Sequence, residues 1–68
     1  MKNENGYNQL NNLKEHKPFN LYHEGEFFDK FEYDDELKRY QSDSGYLTIE
    51  AVYKIFNNKK ETRKIEWI

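Results

Sequence analysis

The chain has 68 residues and no cysteine, and its 13 acidic against 11 basic residues leave a formal net charge of −2. A chain this short has room for one core, which buries only ~60% of the surface that the unfolded chain exposes. These properties argue against a disulfide-stapled scaffold, a multidomain protein and a strongly basic nucleic-acid-binding domain.

Aromatic residues separate this sequence from a disordered one. Only 35% of the residues are hydrophobic and 35% are charged, a balance that by itself is typical of disorder. However, six Tyr, five Phe and one Trp make up 18% of the chain, and each ring can bury a large area. We therefore predict a flexible segment over residues 1–5, followed by a single small domain over residues 6–68 with a core made mainly of rings.

Residue usage and the lack of targeting segments bear on origin and compartment. Lys, Asn, Ile, Tyr and Phe supply 32 of the 68 residues, whereas Gly, Ala, Arg and Pro supply seven, which indicates AT-rich codons. The first ten residues contain no apolar stretch of the signal-peptide type, and no run approaches the ~18 apolar residues of a membrane span. We predict a cytoplasmic protein of a phage or mobile element in an AT-rich bacterial host, with no membrane partner.

The first predicted element is a short helix over residues 6–17. Tyr7, Leu10 and Leu13 recur every three residues and form a narrow apolar stripe. Pro18 disfavours helix at the residue before it and marks the boundary. This helix is expected to pack on, or cap, a sheet.

The next predicted elements are a strand and a tight turn. Residues 19–23 (FNLYH) place Phe19 and Leu21 on one face of a strand. Glu24-Gly25 then fits a two-residue hairpin turn.

The stretch 26–41 supports two interpretations. Its rings favour a strand over 26–33, with Asp34-Asp35 as a turn into a strand over 36–41. As a helix, the same stretch has Phe27/Phe31 four residues apart and charge pairs at the same spacing. Strand is preferred, and helix remains the alternative.

The last third of the chain predicts a β-hairpin. Residues 42–45 (SDSG) form a turn cluster, and alternation from Leu47 to Ile55 predicts a strand whose other face carries Thr48, Glu50 and Lys54. Residues 57–60 form the next turn, and 61–68 form the final strand, with Ile65 and Trp67 on one face.

Together these elements predict an α+β fold, with a short N-terminal helix packed on an antiparallel β-meander of four to five strands. A small bent sheet or partial barrel would hide the strand edges best. If the sheet stays open, its last strand is an exposed edge that can pair with a second copy, so a homodimer is a possible assembly.

The sequence contains no pattern that is typical of a catalytic or metal site. There is no Cys, no G-x-S-x-G elbow and no phosphate-binding glycine motif, and Ser42 and Ser44 fit a turn. His23 with Glu24, Glu26 or Asp29 has no zinc-binding spacing, and a surface histidine among solvated acids is the preferred interpretation. We predict no enzyme activity, no metal and no cofactor.

Charge is unevenly distributed along the chain. Residues 24–36 hold seven acids against one base, Lys30, whereas residues 59–64 (KKETRK) hold four bases against one acid. If 24–36 is extended, Glu24, Glu26, Glu32, Asp34 and Glu36 can fall on one face, and such a row resembles the spaced phosphates of DNA. The alternative is an acidic face that is merely solvated and keeps the protein soluble.

Exposed rings beside these acids predict a protein-facing patch. Phe27 and Phe28 are adjacent, and neighbours on a strand point to opposite faces, so one ring has to leave the core. The alternative is a sheet that is covered on both faces. The predicted partner-binding residues are Glu24, Glu26, Phe28, Glu32, Tyr33, Asp34, Asp35, Glu36, Tyr40 and Trp67.

The predicted function is that of a small non-catalytic module that binds a host protein as a stoichiometric inhibitor or modulator. One candidate for this host protein is a nucleic-acid-processing enzyme, which the acidic surface would engage as a DNA mimic. Direct nucleic-acid binding or transcription modulation through the basic residues Lys59, Lys60, Arg63 and Lys64 ranks below it, because the sequence pI is near 5.6. A self-assembling structural subunit is the third alternative.

Overall fold

Alternating apolar residues build a five-stranded antiparallel sheet with two helices. The computed structural model describes residues 5–68, with side chains from residue 9 onward. The elements are α1 (Asn5–Lys14), β1 (Phe19–His23), β2 (Glu26–Asp34), β3 (Arg39–Ser42), β4 (Gly45–Leu47), α2 (Ile49–Asn57) and β5 (Arg63–Trp67). The strand order is β4-β3-β2-β1-β5, and the sheet stays open. The predicted α+β class, with an N-terminal helix and an antiparallel sheet, is confirmed.

The two predictions for the N-terminal segment have different outcomes. The helix ends at Lys14 rather than at residue 17, and His16 beyond it has a left-handed φ of 57°. The described residues do not include residues 1–4, so the predicted flexibility of residues 1–5 stays a prediction. The side chains of Asn5 and Tyr7 also lie outside the described part of the chain. Leu13, the last member of the predicted stripe, is buried.

Both helices cover the same face of the sheet. The strand register places Phe19, Leu21, Phe31 and Tyr40 on that face, and all four are buried. Leu13 of α1 and Val52 and Ile55 of α2 complete the buried cluster. The rings pack at defined angles, with Phe19 stacked on Phe31 at 5.4 Å and tilted against Tyr40 at 4.8 Å between centroids. The core is thus ring-rich and one-sided, and the described helices leave the opposite face uncovered.

The stretch 26–41 forms strands. β2 runs through Asp34, and the turn that follows is closed by the Asp34 carboxylate, which accepts hydrogen bonds from the backbone N–H groups of Glu36 and Leu37. β3 begins at Arg39 rather than at residue 36, because residues 35–38 complete this turn and Lys38 adopts a left-handed φ of 59°.

The strand predicted from Leu47 to Ile55 is wrong, because most of it forms helix α2. Thr48 is the helix N-cap, with its side-chain oxygen accepting from the backbone N–H of Ala51 at 3.1 Å. The strand pattern would have put Val52 on the polar face, whereas Val52 is completely buried in the helix together with Ile55, three residues on. Helical spacing therefore buries Val52 together with Ile55, which strand alternation would have placed on opposite faces.

This helix also overturns the predicted C-terminal hairpin. β5 follows α2 and pairs with β1 in antiparallel register, with Phe19 opposite Trp67 and Leu21 opposite Ile65. The predicted face of Ile65 and Trp67 is retained, but it packs on a strand from the other end of the sequence. As a result, β1 lies between β2 and β5, and β5 is an edge of the sheet.

Candidate protein-binding surface

The turn between β1 and β2 and the β-bulge that follows it form the most exposed aromatic site of the described residues. Glu24 and Gly25 have φ values of 53° and 87°, the pair of positive φ angles that a type I′ hairpin turn requires. Beyond the turn, the register shifts: Leu21 lies opposite Asp29, and Tyr22 lies opposite Phe27. Phe28 is the extra residue of the bulge. We call residues 23–28 the hairpin tip.

The bulge leaves two consecutive rings exposed. Phe27 retains 57% and Phe28 retains 53% of its accessible surface. A bulge inserts one residue into the side-chain alternation, so the face of each residue beyond it is reversed relative to a regular strand. Thus the bulge explains why neither ring joins the core, although the sequence analysis expected only one of them to leave it.

Phe27 belongs to the uncovered face of the sheet. Its ring meets Tyr22 edge-to-face, with 5.8 Å between centroids and 79° between planes. The Tyr22 hydroxyl in turn donates to Oε1 of Glu66 at 3.1 Å, and this hydrogen bond to a carboxylate raises the pKa of Tyr22. The Tyr22 ring is thereby held in place as one wall of the Phe27 site.

Phe28 lines a shallow apolar cavity of about 240 Å³. Its apolar lining comes from Leu21 of β1, Phe31 of β2, and Tyr46 and Leu47 of β4. His23 and Arg63 contribute the polar part of the lining. An apolar cavity beside a half-exposed Phe is suited to receiving a hydrophobic side chain.

The charges around the hairpin tip are predominantly acidic. Glu24 and Glu26 are exposed on the tip. On β5, Lys64 lies opposite Tyr22 and is exposed, whereas Arg63 lies opposite His23 and is paired with Glu61 through contacts of 2.7 and 3.2 Å. This pairing lowers the pKa of Glu61 and raises that of Arg63, so neither charge is free for the tip.

The predicted row of five carboxylates does not form. Glu26 lies opposite His23, on the core-facing side, whereas Glu32 lies opposite Gln41, on the uncovered side. The bulge between them reverses the alternation that the row required. The nine residues of β2 separate Glu26 from Asp34 by roughly 26 Å at ~3.3 Å per residue.

The other acids of the segment serve different roles. Asp29 accepts hydrogen bonds from the backbone of Lys30 and of Ser44, which ties the β3–β4 turn to β2, and the Ser44 side chain and these backbone donors lower its pKa. Glu32 forms an exposed ion pair with Lys30 at 3.7 Å. Asp35 and Glu36 are exposed on the turn at the far end of β2 from the hairpin tip.

Three predicted aromatic contacts contribute to the core. Tyr40 is completely buried, and its hydroxyl donates to the carbonyl of Lys17 at 2.8 Å, so its side chain is not part of an exposed patch. Tyr33 is partly buried between Tyr40 and the ring of His16, which stacks on it at 3.7 Å. Trp67 is partly buried against Phe19 and Phe56. Of the predicted aromatic contacts, Phe28 has the largest exposed fraction.

Three of the four basic residues of the alternative function, Lys59, Arg63 and Lys64, line one groove beside β5. Lys59 and Lys60 are exposed in the turn after α2, Lys64 is exposed opposite Tyr22, and Arg63 is bound to Glu61. The predicted hairpin that was to carry them does not exist. The groove thus brings Lys59 and Lys64 together with an Arg63 that is paired to Glu61, and Lys60 is not part of its lining.

The sequence analysis did not include Phe27, Leu37 and Tyr46 among the contact residues, although all three are more than half exposed. The Phe27-Phe28 pair was itself a signal, since one strand cannot bury both rings against one layer. The sequence around Tyr46 carried no comparable signal of exposure. In the structure the Arg39 guanidinium lies over the Tyr46 ring, 3.9 Å from its centroid.

Among the described residues, no group of three or more His, Cys, Asp or Glu side chains is placed to hold a metal ion. None of the described helices has the length and apolar character needed to cross a bilayer. No protein-family model, curated protein or solved structure matches this chain. The surface geometry is consequently the basis for any statement of function.

Proposed function

We propose that this protein is a non-catalytic binding module that engages another protein stoichiometrically through the hairpin tip. The observation that carries the proposal is the β-bulge at Phe28. It leaves Phe27 and Phe28 more than half exposed at the start of β2, next to a turn that the pairing of β1 with β2 holds in place. Rings held rigidly at a surface contribute contact area with little loss of conformational entropy on binding.

The immediate surroundings support binding rather than solvation of the tip. The turn is anchored, because the backbone N–H of Glu24 donates to the carbonyl of Thr62 at 3.1 Å. The apolar cavity beside Phe28 supplies a recess for a partner side chain, and the carboxylates of Glu24 and Glu26 supply an acidic rim. A partner with an apolar side chain flanked by Lys or Arg complements this arrangement.

The proposal comes with a matched pair of variants. Phe28→Ala removes the ring at the bulge, and Leu37→Ala removes a side chain that is 52% exposed at the opposite end of β2. Each variant and the natural protein would be used to capture proteins from a lysate of an AT-rich bacterial host, with identification by mass spectrometry. Affinity for the captured protein is then measured with purified components.

We expect Phe28→Ala to weaken binding about 30-fold, the effect of losing ~2 kcal/mol at an interface hot spot, and Leu37→Ala to leave it unchanged. Saturation at a fixed molar ratio would confirm stoichiometric action. Equal binding by both variants would contradict the role of the tip, and turnover of a substrate by the pure protein would contradict the non-catalytic role.

DNA mimicry loses its geometric support, because Glu26 and Glu32 lie on opposite faces of β2. The class of partner is therefore left to the capture experiment rather than inferred from the acids. Titration with labelled DNA and RNA at low salt separates the nucleic-acid alternative, since phosphate contacts give steep salt dependence. Tight binding that is lost in Lys59→Glu/Lys60→Glu would favour that alternative.

A further inference from the structure

Strand β5 presents an unpaired edge to solvent. It bonds to β1 on one side, and none of the described strands lies on its other side. A groove of about 330 Å³ lies beside this strand, lined by Lys59, Arg63 and Lys64 together with Phe56 and Ile65, and the side chains of Lys64 and Glu66 are exposed. Unpaired edges of this kind are templates for pairing with another chain.

The backbone hydrogen bonds show which groups point outward. Glu24 N–H donates to the Thr62 carbonyl and Ile68 N–H donates to the Pro18 carbonyl, in the same register as the β1–β5 pairs. Because antiparallel strands alternate between bonded and non-bonded pairs, the even residues of β5 bond to β1. The N–H and C=O groups of Arg63, Ile65 and Trp67 therefore face away from the sheet.

We propose that β5 pairs with β5 of a second copy in antiparallel register, about a two-fold axis at Ile65. In this register Ile65 lies opposite its own counterpart, and Arg63 lies opposite Trp67 of the second copy. These are the residues whose backbone groups point outward, so all three positions can form ladder bonds. The result is a ten-stranded sheet with α1 and α2 of both copies on one face.

Charge selects this register over its neighbours. Centred on Ile65, Lys64 of each copy lies opposite Glu66 of the other, in non-bonded pairs whose side chains approach closely. In either neighbouring register that still pairs the outward backbone groups of both strands, one strand has slid by two residues relative to the other. Such a shift puts Lys64 opposite Lys64 or Glu66 opposite Glu66, and like charges directly opposite each other are destabilising.

The side chains on the core-facing side are compatible with the same register. Ile65 and Trp67 are partly buried beside Phe56, and pairing would complete their burial. Glu61 accepts from the Arg63 backbone N–H at 3.3 Å, so this carboxylate has to turn away for the ladder to reach Arg63.

The test measures the mass of the full-length chain in solution by sedimentation velocity from micromolar to millimolar concentration. We expect a species of twice the 8.4 kDa chain mass to appear with rising concentration. Lys64→Glu places Glu opposite Glu66 and should weaken the dimer at least tenfold. Lys54→Glu makes the same charge change on α2, away from the edge, and should leave the dimer unchanged.

A mixing experiment tests the register itself. Glu66→Lys alone should also be monomeric, whereas an equimolar mixture with Lys64→Glu restores two opposite-charge pairs and should form a heterodimer. Glu66 accepts hydrogen bonds from Asn20 and Tyr22, so circular dichroism has to show that Glu66→Lys folds. If it does not fold, N-methylation of Ile65 replaces it: this removes an outward donor without touching the β1 ladder and should abolish the dimer.

A single 8.4 kDa species at every concentration would overturn the proposal. A dimer that survives both Lys64→Glu and N-methylation of Ile65 would overturn it equally. Glu66→Lys also removes the acceptor of Tyr22 beside Phe27, so the comparison with the hairpin tip uses Lys64→Glu and N-methylation of Ile65, which leave Phe27, Phe28 and the Tyr22–Glu66 hydrogen bond unaltered. Failure here and failure of the proposed function are thus distinguishable.

Discussion

At one end of β2, Phe27 and Phe28 are more than half exposed, whereas at the other end Tyr33 is partly buried and its neighbour Tyr40 is completely buried. Acidic residues accompany the rings at both ends. Two features make the difference: the bulge at the tip keeps Phe27 and Phe28 out of the core, whereas at the other end His16 stacks on Tyr33 and the Lys17 carbonyl accepts from the Tyr40 hydroxyl. Similar residue types therefore become core or surface according to the local strand pairing and to whether the segment after α1 covers them.

The acidic residues at the two ends of β2 also differ in the hydrogen bonds that they accept. Asp34 accepts two backbone hydrogen bonds and closes the β2–β3 turn, while the type I′ turn at the hairpin tip is closed by Glu24 and Gly25 through their positive φ angles. A carboxylate that holds a turn is committed to the fold. The carboxylates at the tip have no such contact among the described residues, so the fold does not engage them.

Tyr40→Ala against Phe28→Ala should give the largest contrast in stability. Removing the buried ring is expected to cost about 3–5 kcal/mol of unfolding free energy, which is a large fraction of the stability of a domain of this size. Phe28→Ala should change it by less than about 1 kcal/mol, because the ring is already half in water. Urea denaturation measures both, and similar losses would show that the two ends of β2 do not differ as described.

Alkaline pH should lower the stability of the fold through Tyr40, which lies at the end of β2 that the segment after α1 covers. Burial raises the pKa of Tyr40 from its usual value near 10 to about 12, with the neighbouring Tyr33 as a lesser cause. The neutral phenol is favoured in the fold, so its contribution is complete below pH 10 and is lost as the pH rises toward 12.

The control for the alkaline effect is a pair of phenol deletions. Tyr40→Phe should flatten the fall in the urea midpoint between pH 9 and pH 12, whereas Tyr46→Phe removes a phenol that is 55% exposed and should not. An unchanged slope in Tyr40→Phe would assign the alkaline sensitivity to another group.

The smallest expected effect concerns the turn that closes the covered end. Asp34→Ala removes the acceptor of the Glu36 and Leu37 N–H groups and should cost about 1 kcal/mol. Asp35→Ala, at an exposed neighbour, should change the unfolding free energy by less than about 0.5 kcal/mol. Equal effects in thermal unfolding would mean that the Asp34 contacts do not stabilise the turn.

Local chemistry made part of this fold predictable. Pro18 and the Glu24-Gly25 pair act on the backbone within one or two residues: β1 begins directly after Pro18, although α1 already ends at Lys14, and the turn lies at Glu24-Gly25. The preference for strands over residues 26–33 rested on ring content and is confirmed. The presence of one N-terminal helix and an antiparallel sheet followed from these signals.

Helix α2 shows where the sequence pattern was insufficient. Five alternating apolar residues fit a strand, but Ile49, Val52, Ile55 and Phe56 also fit one face of a helix. Thr48 before the run was the cap signal that favoured the helix. Weighing the alternation more heavily than the cap produced the wrong element and the wrong partner for β5.

The hairpin tip was predictable only in outline. Exposure of a ring followed from the Phe27-Phe28 pair, but the bulge depends on how β2 fits against β1, which is a tertiary property. The same bulge moved Glu26 to the other face and dispersed the expected acidic row. A one-residue change in alternation thus decided both the aromatic and the acidic parts of the surface.

The position of Trp67 gives the protein a built-in optical reporter. It is the one tryptophan in the chain, and its indole packs against Phe19 and Phe56 where β5 meets β1 and α2. Its fluorescence therefore monitors the junction of these three elements without any label. The same intrinsic signal follows denaturation of the monomer and any change in environment when the outer strand acquires a neighbour.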